Sequence, residues 1–396
     1  MALFAFDGTW NQAKNDDSEY RNTNVRRFFD AYHANTGDTH DCYKAGVGTR
    51  LGIVGRIVGG VFGAGELVRL NEAYDQLCLA WADGDQVIDV VGFSRGAATT
   101  LDFCHIIQDR GIRKKGTSIV VERSPQIRFL GVWDVVAAFG LANFGATDLN
   151  IGHHLVLPKQ ALKFAFHALA LDERRPSFLP TRLHGAYEVW FRGVHSDVGG
   201  GNANRGLNDI ALAWMMHKAK AAGLPITDGD ISALHPDAGT LPHLDPNLPL
   251  NIRLVSAVDR VHYSVAPSEG CTNPPATCSI ETEADERAAR PVGVEPVEVL
   301  PQEVRARISV LVGIAEETAQ QKHFPLAGVR ESLFTLIQGR IALVTDDALL
   351  LRAKQATAQL VGEMIRGATE KNFHALNEFF LTQALFNLRP LFPYTD

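Results

Sequence analysis

Short runs of consecutive apolar residues punctuate this chain, separated by longer stretches in which apolar residues recur at helical spacing. Ala2–Phe6, Gln86–Val91, Ile127–Val132 and Glu188–Val194 are such runs. A strand covered on both faces needs apolar side chains on both, so these read as buried parallel strands. Arg69–Asp83, Arg95–Arg110 and Leu207–Ala222 carry amphipathic helical patterns, the last with Asn208 as a candidate N-cap. Strands alternating with helices predict an α/β fold around a mostly parallel sheet. Near residue 266 the pattern changes. Pro267–Pro301 is rich in Pro, Glu, Thr and Ala, as linkers are, and from Gln302 onward Ala, Leu, Glu and Gln fall at helix spacing. The expected organisation is an α/β domain over 1–265, a linker or loop over 266–301 and a helical accessory region over 302–396.

Composition narrows the classes. The 396 residues are 46% apolar and 21% charged, which suits a packed core and excludes disorder along the whole chain. Thirty-eight Lys and Arg against 45 Asp and Glu leave a net charge of −7, so no nucleic-acid partner is expected. Cys42, Cys78, Cys104, Cys271 and Cys278 are scattered, odd in number and form no C-x-x-C pair. That argues against a disulfide scaffold and against structural zinc. The opening MALFAFDGTWNQ has neither a basic n-region nor a long apolar run. The protein is therefore expected to be cytoplasmic when made, and any export to proceed without a cleaved signal peptide. Leu51–Phe62 is apolar but short and interrupted by Arg56, so it is not expected to span a bilayer.

The most informative stretch is VIDVVGFSRGAATT, Val87–Thr100. It places G-x-S-x-G, Gly92-Phe93-Ser94-Arg95-Gly96, between an apolar strand and a helix-competent run. That is the context a nucleophile elbow needs: a sharp turn lifts the serine Oγ above the sheet, and small residues let strand and helix close up. The Arg95 N–H would then face a developing oxyanion. A serine nucleophile needs a base and an acid to orient that base. Asp134 follows the run ending at Val132, where sheets of this type carry functional groups. Two later histidines compete for the base. His195 ends the run in VWFRGVHSDVGGG, and His262 lies in LVSAVDRVHYSV. Asp7-Gly8-Thr9 follows the first strand and suits an oxyanion-hole loop, with Gly8 or Thr9 N–H groups facing the site. Asp197 is a candidate pocket residue. Asp172, Arg174 and Arg175 form either an ion-pair cluster or, as read here, a solvated charge run.

FDGTWN, GVGT, GFSRGA, GVWDVV, HALALDERR and VWFRGVHSDVGGG occur in this order between Phe6 and Gly201. The set resembles the α/β-hydrolase domain of the type VI secretion phospholipase effectors, first lipase-effector subfamily, a domain also found in other bacterial and fungal proteins. The resemblance covers residues 1–265 and implies an α/β-hydrolase-like catalytic domain with a Ser-Asp-His triad. Ser94 and Asp134 carry over directly. For the base the resemblance points to His195, with His262 in His262-Tyr263-Ser264 as the competitor. It implies a phospholipid or other ester substrate, contact with a membrane surface, and a secretion-apparatus or immunity-protein partner. No metal and no cofactor are expected. The Gly-rich stretch from Gly46 to Leu67 lacks a Walker lysine, so nucleotide binding is not expected, and it reads as an ordered loop or a lid meeting lipid. Three rival functions follow from the same residues: a soluble acyl-ester hydrolase without a membrane role, a non-catalytic binding module, and a metal-dependent hydrolase on Asp7, His195 and Asp197.

Overall fold

The structure is a computed structural model and describes residues 1–8, 22–46, 60–136, 157–158, 162–175, 178, 180–183, 185–244, 253, 259–265 and 278–292. Along the chain run β1 (Ala2–Phe6), α1 (Asn24–Thr36), β2 (Cys42–Lys44), α2 (Gly60–Ala82), β3 (Ile88–Phe93), α3 (Arg95–Arg110), β4 (Ile112–Arg113) and β5 (Val120–Glu122). There follow β6 (Ile127–Trp133), β7 (Leu162–Ala170), β8 (Tyr187–Phe191), α4 (His195–Gly199), α5 (Arg205–Ala221), α6 (Asp228–Ser232), β9 (Arg260–His262), β10 (Ser279–Glu281) and α7 (Glu283–Glu286).

Among the described residues eight strands form one sheet in the order β10-β9-β8-β7-β6-β3-β1-β2, and their pairings are parallel. Parallel neighbours need crossovers, and these crossovers cover both faces. Side chains alternate across a strand, and β1 shows it. Leu3 and Ala5 share a buried cluster with Val25, Phe28 and Tyr32 of α1, which Trp214 of α5 continues over Phe166 of β7 and Phe191 of β8. Phe4 and Phe6 pack on the other face with Leu77 of α2 and Leu101 and Phe103 of α3. The result is an α/β-hydrolase-like layered fold: the run pattern predicts its parallel sheet between helices, and the family resemblance its hydrolase-like form.

Two details of that reading change. The N-cap of α5 is Asn204, not Asn208. Asn208 lies inside the helix, where its Nδ2 donates to the carbonyls of Ser196 and Asp197. The sheet also runs past residue 265, because β10 lies within the expected linker and pairs with β9. Its Glu281 is fully buried and meets the buried Lys218 of α5 at 2.9 Å, so an ion pair holds this edge strand in place. The expected accessory region over 302–396, the apolar run from Leu51 to Gly59 and Cys271 lie outside the described residues. Among the described residues no helix is long and apolar enough to cross a membrane.

Candidate active site

The predicted elbow is present. β3 ends at Phe93, α3 starts at Arg95, and Ser94 between them holds φ 58° and ψ −126°. A positive φ at a non-glycine residue is strained and needs its surroundings to enforce it. Here the Ser94 N–H donates to the Trp133 carbonyl at 3.1 Å, and the Ser94 carbonyl accepts from Ala97 N–H at 3.1 Å. The two motif glycines make the turn possible. A Cβ on Gly96 would lie 2.3 Å from the Phe6 carbonyl oxygen, and one on Gly92 would lie 2.2 Å from Thr100 Oγ1. The contact at Gly96 also sets the end of β1, and with it Asp7 and Gly8, against the first turn of α3.

Asp134 follows β6 and is the second strained position, with φ 41°. Its own N–H donates to the Ala168 carbonyl at 2.7 Å, and the next N–H, of Val135, donates to His167 Nε2 at 3.2 Å. Because that nitrogen accepts, His167 carries its proton on Nδ1, which faces Glu188 Oε1 at 2.9 Å. The strained turn aims the carboxylate inward, where it has no solvent exposure. Oδ1 accepts from Ala170 N–H at 2.9 Å and from Arg253 Nη1 at 2.6 Å. Oδ2 accepts from Arg253 Nη2 at 2.8 Å and meets His195 Nδ1 at 2.6 Å. Burial alone would raise the Asp134 carboxyl, but the Arg253 charge and the bond from His195 outweigh it and hold the group far below the usual carboxylate range. An ionised carboxylate can only accept, so His195 donates from Nδ1 and keeps Nε2 open as a base.

His195 opens α4, in a loop folded back across the strand ends. Its ring centroid lies 4.5 Å from that of Phe93, the residue before Ser94, and 4.8 Å from that of Phe178. The His195 N–H donates to Glu173 Oε2 at 3.1 Å. Burial lowers the imidazole below the ordinary histidine range despite the opposing pull of Asp134. The glycines after it are needed for closeness. A Cβ on Gly199 would fall inside the Phe93 ring, and Gly200, at φ 85°, approaches the Asn24 backbone.

His262 stands elsewhere. It ends β9, three strands from β6 and so roughly 14 Å away at ordinary strand spacing. Its Nδ1 meets Ser264 Oγ at 2.7 Å, its Nε2 faces Glu286 at 3.5 Å, and its ring stacks on Phe191. The histidine brought to Asp134 is His195.

Asp7 and Asp197 are framework carboxylates. Asp7 accepts from Thr23 Oγ1 and Tyr43 OH, each at 2.6 Å, and from Gly8 N–H at 2.7 Å. Asp197 accepts from Val194 N–H, from the side-chain amides of Asn202 and Asn204, and from His243 N–H, bonds that fix its own loop. Thr9 lies outside the described residues. Among the described residues Asp7, His195 and Asp197 do not form a metal-holding group. Asp38, His40 and Asp85 do come together, ahead of β2 and β3 and so at the N-terminal ends of the strands, where both aspartates also pair with the Met1 amino group.

The sequence reading missed Arg253, Glu173, His167 and Phe178. In the supposed charge run Asp172 and Glu173 are buried while Arg174 and Arg175 are half-exposed, and Glu173 binds the Arg175 guanidinium at 2.7 Å and three backbone N–H groups. Arg175 in turn lies 3.4 Å over the Phe178 ring. A signal for Arg253 existed: an arginine in the apolar stretch LNIRLV calls for a buried anion.

Residues 2–122 and 112–218 match the sequence profile of a family described as the T6SS phospholipase effector Tle1-like catalytic domain. Together they span more than half of the 396 residues. No curated protein matches. Among solved structures, the Tle1 effector bound to the VgrG spike of the type 6 secretion system is 22% identical, with a TM-score of 0.35 over 50% of this chain and 50% of that one. An uncharacterized protein from Pseudomonas aeruginosa is 19% identical, with a TM-score of 0.39 over 98% of this chain and 66% of that one. The chain therefore spans half the length of the first and just under two thirds of the second. By the profile match, the chain belongs to the Tle1-like phospholipase effector family of type VI secretion, within its catalytic domain.

Proposed function

We propose that the protein is a serine esterase that cleaves carboxyl-ester bonds of phospholipids, acting as an antibacterial or secreted effector. Ser94 is the nucleophile, His195 its base and Asp134 the acid. One observation carries this reading. The His195 imidazole is bonded through Nδ1 to an ionised Asp134 at 2.6 Å, and its ring rests on the residue next to the strained Ser94. His195 takes the Ser94 proton as Oγ attacks the ester carbonyl. The Arg95 N–H stabilises the oxyanion, since the Gly8 N–H is held by Asp7, and His195 returns the proton to the leaving alcohol. Water, activated by the same imidazole, then frees the fatty acid. Family membership supports the lipid substrate, contact with a membrane surface, and partners in the secretion apparatus or an immunity protein.

A fluorophosphonate probe tests the chemistry. It should label the native protein, and labelling should vanish in Ser94→Ala. Mass spectrometry of products from mixed phospholipid vesicles tests the substrate. Free fatty acid and lysophospholipid are expected, whereas turnover confined to water-soluble esters would leave a hydrolase with no membrane role.

A further inference from the structure

Arg253 is a second centre in this site, and the triad scheme gives it no part. Its guanidinium spans both oxygens of Asp134, Nη1 to Oδ1 at 2.6 Å and Nη2 to Oδ2 at 2.8 Å. The same two nitrogens donate to the Ala170 carbonyl and the Phe178 carbonyl, each at 2.6 Å. Both charged side chains are fully buried. One cation thus ties together the strained turn after β6, the end of β7 and the residue whose ring edges onto His195. A bidentate guanidinium fixes the plane of a carboxylate, which a lysine cannot do.

It also changes what His195 experiences. A bare buried carboxylate would hold a proton on the imidazole and spoil it as a base. Three further groups act on that ring: Asp134 directly, Glu173 through the His195 N–H, and Arg175 across Phe178. The carboxylates favour the imidazolium. Arg253 opposes them, while Arg175 is already matched by Glu173.

We propose that Arg253 is the positioning residue of this site: it sets the plane of the Asp134 carboxylate and moderates its charge, so that His195 stays neutral until it receives the serine proton. The inference rests on the serine-esterase reading above. Two separable consequences follow. Losing the fork geometry lowers the rate without moving the pH dependence. Losing the charge moves the pH dependence itself, because the Asp134–His195 pair then holds its extra proton more tightly.

The experiment is the pH profile of kcat/KM on a soluble short-chain p-nitrophenyl ester, with the rate of fluorophosphonate labelling followed in parallel. It uses the full chain as wild type, Arg253→Lys, Arg253→Gln and Ser94→Ala. The wild-type acid limb should fall below about 6.5, the ordinary histidine value. Arg253→Lys should keep that limb and lose about tenfold in kcat/KM. Arg253→Gln should move the limb up by about one pH unit, as expected for removing a charge two hydrogen bonds away. Coincident limbs for wild type and Arg253→Gln, in a protein whose labelling still depends on Ser94, overturn the proposal and leave the hydrolase reading intact. If Arg253→Gln does not fold, a wild-type limb at or above about 6.5 is equally fatal. A wild type that takes no probe at any pH, or labelling that survives in Ser94→Ala, removes both readings together.

Discussion

Replacing Asp134 by Asn is the sharpest single test of the site, because every acceptor position on that carboxylate is matched to a donor. Oδ1 faces Ala170 N–H and Arg253 Nη1, and Oδ2 faces His195 Nδ1 and Arg253 Nη2. An amide has one acceptor and one NH₂, so either flip sets a donor against two donors. If the NH₂ faces His195, the imidazole must accept there and carry its proton on Nε2, the nitrogen that should receive the serine proton. A wrong tautomer in such a triad costs about 10⁴-fold in kcat, or roughly 5.5 kcal/mol of barrier. Stability falls too, because Arg253 keeps its buried charge and loses the counter-ion. Breaking a buried pair from one side costs about 3–5 kcal/mol. The two losses are read separately, by kcat on a soluble ester and by urea unfolding. A folded Asp134→Asn protein with less than about a tenfold loss in kcat would show that Asp134 does not orient the base.

Exchanging the competing histidines gives a direct contrast: His195→Ala should abolish ester turnover, whereas His262→Ala should stay within about threefold of wild type. The reverse ranking would move the base to β9. Gly96→Ala drives a Cβ into the backbone at the end of β1. It should destabilise the fold by about 1–3 kcal/mol and cut kcat/KM about 10²-fold, and an unchanged melting temperature would show that the elbow is looser than drawn. Lys218→Met should cost about 3–5 kcal/mol in urea unfolding by stranding Glu281, and adding Glu281→Gln should restore part of it. Equal losses in single and double variants would mean that β10 is not anchored by this pair. Glu188 is half-buried, and desolvation would raise its carboxyl, yet Arg182 and His167 depress it to about 2 from an ordinary 4.5. Its folded value is the lower one, so its contribution is full above about pH 4.5 and fades as pH falls toward 2. The stability gap between wild type and Glu188→Gln should therefore close over that interval, and a gap constant with pH would refute the assignment.

What the chain reveals without coordinates follows from the physics of each feature. β1, β3 and β6 are covered by helices on both faces, so their sequences are mostly apolar, broken in β3 and β6 only by Asp89 and Arg128, which pair with each other, and their bounds fall within a few residues of those expected. The elbow is legible for a related reason: its strain requires small residues at fixed offsets, so Gly92, Ser94 and Gly96 carry their geometry in the sequence. β7 hides because its inner face includes His167, whose polarity breaks the run but is satisfied by Glu188 and Val135 N–H. β10 hides because Glu281 looks like a surface charge until Lys218, 63 positions earlier in the numbering, arrives from α5.

The same asymmetry explains the site. Ser94, Asp134 and His195 each stand just past an apolar run, a local pattern that the sequence displays. Arg253 acts across 119 positions and Glu173 across 22, and their meaning lies only in what the fold brings to them. A lone arginine among Leu250, Asn251, Ile252, Leu254 and Val255 is costly to bury, and that cost is the clue. It demands a buried anion, and the strained turn after β6 presents one. Reading buried charges as half of a pair, before the partner is known, would have led from Arg253 to Asp134. It would also have favoured His195 over His262, since only an acid already held ionised can fix the tautomer of its base.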